Sequence, residues 1–468
     1  SYMRRITTDN NKPRAALELL ALQLVVNMNF ALRPHRGDTT PLSPTDLRND
    51  LHSRDPSDTS TVEQQREKVP HPTSDLANSG LFQSHSDTRL RFLCPIITGY
   101  LAGHALLTYT GLSKIQEQPA WIGKSLSLYF YSYLGDVSSI IQNLLKGDDF
   151  LRHEQLNIAR WLTIPTNKKP WRTLVMRTLV TALHTEQETF SLAARMLTAI
   201  ALSGDPGVSI LLRQMLHSDN TSLRQLAALA SGAYADPQLA SDLSQLLADK
   251  QPSVVRSASL ALVAIGNKQA LEIVADALLH GSELMRRAAA EALANHPEEG
   301  HPALEDGSKI DDLRVRYSVI FGLMRIHQPW AINIIERMQL EEKEWIVRNA
   351  AIQAIEEINL PDINIPKPLP DLTETPWLIE YASKQGISVA PGVPAYELVI
   401  DALKNGNEEE KLQALNYLSR FGNTKSIPVI FSWYFGGKGE IRDAAYHALW
   451  NLSSSGVSLP SPKQYGFG

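Results

Sequence analysis

An arginine that returns at almost constant spacing, each time inside an alanine- and leucine-rich run, constrains this chain more than any other feature. SLRQLAALASG around Arg224 is followed by VVRSASLALVAIG (Arg256), LMRRAAAEALAN (Arg286), RVRYSVIFGLMRI (Arg316) and WIVRNAAIQAIEEI (Arg348), at steps of 32, 30, 30 and 32 residues. EIRDAAYHALWNL repeats the pattern much later, around Arg442. Self-similarity at such a period marks a stack of small units rather than one globular core. Aliphatic runs precede these stretches: LASDLSQLLADK, QALEIVADALLHG and PWAINIIERMQL. In the first, Leu239, Leu243, Leu246 and Leu247 fall at helical spacing, which gives one apolar face. A unit of two helices cannot bury that face alone, so its neighbours must supply the rest of the core. The alanines of the second helix allow close approach. The pattern predicts an all-α chain built as a right-handed α-solenoid of helical hairpins.

The arginines come with acids a few positions upstream: Asp219 before Arg224, Asp249 before Arg256, Asp312 before Arg316 and Glu342 before Arg348. Such a carboxylate can cap a helix N-terminus or pair with an arginine of its own or the neighbouring unit. Arg224, Arg256, Arg286, Arg316, Arg348 and Arg442 are therefore expected to stitch the stack rather than to line a phosphate groove. The Val-Arg-x-x-Ala-x-x-Ala-Leu core, as in Val255-Arg256-Ser257-Ala258 through Leu262, resembles the shorter class of HEAT repeats also found in phycobilin lyase subunits. The resemblance is specific over residues 190 to 358 and weaker on either side.

The flanks read differently. PRAALELLALQLVVNMNFAL, from Pro13, predicts a helix, and residues 35–76 are polar and expected to be mobile. Prolines at 361, 366, 368, 370, 376, 391 and 394 predict an extended connector with one short helix, after which helical pairs resume. The expected division is a helical, winged-helix-like region at 1–110, repeats at 111–360, the connector at 361–393, and terminal repeats with a cap at 394–468. Near the first boundary stand Ser79-Gly80-Leu81-Phe82, then Arg89-Leu90-Arg91-Phe92, then Tyr100-Leu101-Ala102. This order resembles the end of a NACHT module of the STAND class of signalling NTPases, where a winged-helix turn precedes an acidic-aromatic-Leu-Ala-Ala helix. Here Cys94 stands in place of the family's His, Gly99 in place of the acid and Gly103 in place of the second Ala. The resemblance implies that ATP and Mg²⁺ belong to an NTPase core ahead of residue 1, and that this chain carries no cofactor.

No chemistry is written into the chain with comparable clarity. WIGKSLS holds Gly123-Lys124-Ser125, but Gln118 occupies the place of the first P-loop glycine and no strand precedes it. NHPEEGHP places His296 and His301 around Glu298 and Glu299 in a loop, not on one helical face. Cys94, the single cysteine, sits in an apolar run and excludes an internal disulfide framework. The stretch Phe92–Tyr109 is broken by Pro95 and His104 and is short for a membrane span. A formal charge of -5 gives no general footprint for nucleic acid.

These readings predict a cytoplasmic, non-catalytic scaffold that meets a protein partner on the concave face of the solenoid, and oligomerises only with the NTPase module. Arg287, Tyr317, Phe321, Tyr446 and Trp450 are the expected contact residues; Trp330 and Trp345 are expected to be partly buried. The family resemblance adds a sensor role in a bacterial signalling protein, with antiviral defence among its outputs. The alternatives are a free-standing HEAT adaptor, or an enzyme of the phycobilin-lyase or HEAT-like DNA-glycosylase kind.

Overall fold

The computed structural model describes residues 11–28, 81–85 and 89–467, apart from 120, 146–148, 164–169, 186–188, 361–369 and 456. The polar segment 35–76 and the proline-rich start of the connector lie outside the described residues. Two compact units are present, Ser1–Val175 and Met176–Gly468.

The first unit holds α1 (Asn11–Val26), a hairpin of β1 (Phe82–His85) and β2 (Arg89–Phe92), and then α2 (Pro95–Ala105), α3 (Leu112–Glu117), α4 (Ile122–Leu134), α5 (Ser138–Leu145) and α6 (His153–Ala159). The strands are antiparallel, with Phe82 opposite Phe92 and His85 opposite Arg89. Pro95 opens α2, where its missing N–H costs nothing. The two glycines that depart from the NACHT pattern have a packing reason. A Cβ on Gly99 would stand 2.4 Å from Leu126 Cβ, and one on Gly103 would stand 2.9 Å from the Ser127 carbonyl. Helices α2 and α4 thus meet backbone to backbone. No helix among the described residues is long and apolar enough to cross a membrane.

The units divide within α7 (Pro170–Thr185). Beyond it the second unit runs through α8 (Phe190–Ala201), α9 (Val208–Leu216), α10 (Thr221–Tyr234), α11 (Ala240–Leu246), α12 (Pro252–Ile265), α13 (Lys268–His280) and α14 (Glu283–Leu293). Next come α15 (Gly300–Gly307), α16 (Leu313–Leu323), α17 (Pro329–Glu341) and α18 (Trp345–Ile358). After the connector stand α19 (Pro376–Lys384), α20 (Val393–Asn405), α21 (Glu408–Phe421), α22 (Ile427–Gly436) and α23 (Gly439–Ser454). The architecture is the expected α-solenoid of helical pairs, and the pairs are punctuated as the sequence implies. Asn220, Asn267, Ser282 and Asp312 cap α10, α13, α14 and α16 with their side chains. Asn407 and Glu410 form a capping box on α21. Pro252 opens α12, and Gly266 closes it in the left-handed conformation at φ 65°.

The second helices form a continuous spine in which α8, α10, α12, α14, α16 and α18 pack in turn. Small residues set the spacing: a Cβ on Gly232 would stand 2.9 Å from Ala261 Cα, and one on Gly322 would stand 2.4 Å from the Ala290 carbonyl oxygen. The last pair does not simply prolong this spine. Helix α23 packs on α21 and α22, and its other neighbour is α8, at the start of the array. Among the described residues no extensive packing joins α18 to α19, α20 or α21. At the α18 end Leu340 is 81% and Trp345 68% exposed. The expectation of a partly buried Trp345 is therefore corrected. Trp330 is half-buried, its indole N–H donating to Gln328 Oε1 at 2.7 Å.

Candidate partner-binding face

The starts of the second helices fix which side each residue faces. In α10, α14, α16, α18 and α23 the repeat arginine is the fourth residue. Arg224 donates from Nε to Asp249 Oδ2 at 2.8 Å, reaching the acid of the following unit, and also to the carbonyls of Ser218 and Asp219. Arg316 does the same with Glu342, from Nε at 2.9 Å and Nη2 at 3.2 Å. Arg286 donates to the carbonyls of Leu278 and Leu279, with Asp312 at 3.9 Å, and Arg348 donates to the Glu342 carbonyl. Arg442 lies 5.6 Å from the Tyr434 ring. Burial pushes the Asp249 and Glu342 carboxyls up, but the hydrogen bonds and charges of Arg224 and Arg316, with backbone N–H donors, outweigh it and hold both below the usual carboxylate range.

Arg256 departs from this set. It is the fifth residue of α12, and fully buried Val255 occupies the ladder position. One residue rotates a side chain by about 100° around a helix, so Arg256 turns outward. It still reaches the next repeat, through Glu291 of α14, but from the outward face and not from the ladder position.

Outward positions four residues apart share a helix face. On α10 and α12 that face carries Leu229 and Leu260, 41% and 39% exposed. Next to them three guanidiniums converge on one carboxylate. Arg256 Nε is 3.5 Å from Glu291 Oε2, while Arg287 Nε and Arg325 Nη2 are 3.2 and 3.4 Å from Oε1. The Glu291 side chain is 10% exposed, against 47%, 43% and 56% for those of Arg256, Arg287 and Arg325. Arg287 also lies over the Phe321 ring at 4.0 Å, and Tyr317 meets Phe321 edge-on at 5.3 Å. The structure thus brings together three of the expected contact residues, Arg287, Tyr317 and Phe321. Sequence reading missed Arg256, Glu291 and Arg325 as parts of the same cluster. The four-residue step from Arg287 to Glu291 was the available signal.

Tyr446 and Trp450 belong elsewhere. Tyr446 is fully buried, and Arg195 of α8 lies 4.1 Å from the Trp450 ring. The expectation that Tyr446 is an exposed contact is corrected: both aromatics build the joint between α8 and α23. At that joint the Ser191 N–H and hydroxyl donate to the two carboxylate oxygens of Asp443, at 2.8 and 2.7 Å. Ser191 Oγ lies 2.7 Å from His447 Nε2. Serine, histidine and aspartate meet here in the wrong order for a nucleophile. The carboxylate accepts the hydroxyl's hydrogen bond, which leaves His447 Nε2 as a donor to that oxygen rather than its base. The trio caps the first turn of α8 from another helix.

Other chemistry-bearing residues have local partners. Lys124 is buried and donates to the carbonyls of Gln116 and Gln118 at 3.0 and 2.7 Å, closing the end of α3 rather than facing a phosphate. Burial lowers its pKa, with Glu154 opposing. His296 accepts from the Glu299 N–H, and His301 Nε2 is 3.0 Å from the Ala294 carbonyl. Among the described residues no group of three or more His, Cys, Asp or Glu is placed to hold a metal ion. An open groove of about 810 Å³ crosses α20 and α21, with Tyr396, Tyr417 and Phe421 beside Asp401 and Lys404. Behind it Tyr381 donates to Asp401 at 2.8 Å, and burial together with that carboxylate pushes its pKa up to about 12.

Residues 176–264 and 210–294 match the family model described as HEAT repeats. The chain therefore contains HEAT-like repeats. Among solved structures, the crystal structure of an engineered protein aligns over 77% of this chain and 96% of its own, at 19% identity and a TM-score of 0.22. No curated protein matches the chain.

Proposed function

We propose that this chain is a non-catalytic helical-repeat scaffold that binds a protein ligand through the outward face of its second helices. Its place would be the sensing region of a bacterial NACHT-type STAND protein of the kind used in antiviral defence. The scaffold reading rests chiefly on one observation. The ladder arginines are occupied in stitching the repeats, while Arg256, Arg287 and Arg325 with Phe321 and Tyr317 form a cationic, aromatic patch on the outward face of the spine. Arginine beside aromatic rings is the usual composition of an interface anchor.

The STAND reading draws support from the order of elements around residue 90. Ser79-Gly80-Leu81-Phe82 leads into the hairpin β1–β2, and the helix carrying Tyr100-Leu101-Ala102 follows at once. A wing followed by a helix is what the resemblance implies. ATP and Mg²⁺ would then be handled by a separate nucleotide-binding module. Ligand on the array would shift that module from a closed to an open state through differential affinity for the two.

The test joins the gene to the chemistry. A P-loop module is expected in the same reading frame, with ATP hydrolysis that becomes independent of ligand when residues 176–468 are removed. ATP turnover by residues 1–468 alone, or a reading frame without a P-loop, contradicts the STAND assignment.

A further inference from the structure

The three guanidiniums around Glu291 carry a charge imbalance that names a ligand. One carboxylate faces three arginines, which leaves two positive charges without a partner in the cluster. Three guanidiniums carry fifteen N–H donors, and Glu291 meets only one nitrogen of each, at 3.2 to 3.5 Å. The arginines come from three successive repeats, from α12, α14 and the turn after α16, and each side chain is about half exposed. Glu291 holds them side by side without neutralising them. Its own side chain is nearly buried, so an incoming anion meets the guanidiniums and not the glutamate. Phe321, already under Arg287 at 4.0 Å, fixes one of the three in place.

The neighbouring surface decides what kind of anion fits. Leu229 and Leu260 stand exposed on α10 and α12, along the same outward face. On the other side, α18 offers Asn349, Gln353 and Glu357 at the corresponding positions. Nucleic acid would need a basic track continuing along the spine, and the stripe turns apolar on one side and neutral to acidic on the other. A short peptide with carboxylates at its centre and an aliphatic flank matches both parts.

We infer that the face formed by Arg256, Arg287 and Arg325, with Phe321 and Leu260 beside them, is a docking site for an acidic, aliphatic-flanked segment of a partner protein. This rests on the scaffold reading above and specifies its ligand. Two carboxylates from the partner restore charge balance at the cluster. Arginine suits the task because its fork donates two parallel hydrogen bonds to a carboxylate.

A random peptide library displayed on phage and panned on the whole chain tests this directly. Selected peptides are expected to hold clustered Asp or Glu next to Leu, Ile or Val. A fluorescein-labelled synthetic peptide from that selection should bind with an affinity that falls as salt rises. The triple variant Arg256→Gln, Arg287→Gln, Arg325→Gln should weaken it roughly tenfold or more, with an unchanged circular-dichroism melt as the check on folding. Arg314→Gln, at an exposed arginine outside the cluster, should leave binding as it was. Selection of peptides without acids, retention of affinity in the triple variant, or displacement of the peptide by a single-stranded oligonucleotide at lower concentration than by an acidic peptide would each overturn the inference. Peptide binding that survives the triple substitution would still leave the scaffold reading standing, because the ligand would then sit on another face. The non-catalytic scaffold reading fails on a separate result, ATP turnover by residues 1–468 alone.

Discussion

Two kinds of joint hold the repeat-bearing unit together, and they differ in how specificity is achieved. Inside the array, sequential repeats meet through glycine and alanine, with Gly322 against the Ala290 carbonyl and Gly232 against Ala261. Arginine-acid pairs such as Arg316–Glu342 bridge from one unit to the next. Between α8 and α23, residues about 250 apart in the chain meet through Ser191, Asp443 and His447, and through Arg195 on Trp450. Neighbours in sequence need only be smooth and close, because the short loops already set their register. Distant partners have no loop to align them. Directional hydrogen bonds and a cap on α8 then choose the register that apolar contact alone would leave loose.

That contrast can be broken at its strongest point first. Gly322→Ala would drive a Cβ to 2.4 Å from a backbone oxygen, which no side-chain rotation relieves. We expect a loss of about 3 kcal/mol, read as a lowered midpoint in urea unfolding of the whole chain. An unchanged midpoint would show that the repeats slide freely past one another.

The inter-repeat pairs come next. Glu342→Gln weakens the bonds from Arg316, both side chains of the pair being 14% exposed or less, and is expected to cost about 1.5–2 kcal/mol. The pH dependence carries the same information. Asp249 and Glu342 have depressed values in the folded state. Their contribution is therefore fully present above the unfolded values near 4, and is lost as the pH falls through the lower folded values. Stability should decline below about pH 4, and Glu342→Gln should flatten that acid limb. A limb of the same slope in the variant would place the titrating carboxylates elsewhere.

Asp443→Ala tests the other joint. The cost is expected near 1 kcal/mol, the usual worth of a helix cap, but it should be confined. Amide exchange should quicken in α8 and α23 while α14 and α16 keep their protection. Uniform loss of protection would mean that both joints belong to one cooperative block.

The smallest effect belongs to the arginine that left the ladder. Arg256→Ala should change stability by about 0.5 kcal/mol or less, since the side chain is half exposed and its pair with Glu291 spans 3.5 Å. A thermal melt of the variant checks it. A loss as large as that of Glu342→Gln would show that its bridge to Glu291 holds the repeats as strongly as a ladder pair does.

Much of this was legible from the residues. Pro252 before and Gly266 after one apolar run mark a helix with its start and stop, and Asn220, Asn267 and Ser282 do the same elsewhere. The cross-repeat bridge was legible too, since Asp249 and Glu342 stand one repeat beyond Arg224 and Arg316. Of the candidate face, the residues Arg287, Tyr317 and Phe321 were legible, and the structure places their side chains together. Tyr446 was misread because an aromatic on an amphipathic helix carries no mark of which neighbour will cover it.

The chain by itself determined the unit, its two helices, its caps and the acid-arginine chemistry, because each depends on residues within about one turn or one repeat of each other. Tertiary structure decided the phase and the docking. A one-residue shift in where α12 begins turns Arg256 from the ladder to the surface. The partner of α23 was settled by a contact some 250 residues away, for which no local pattern exists.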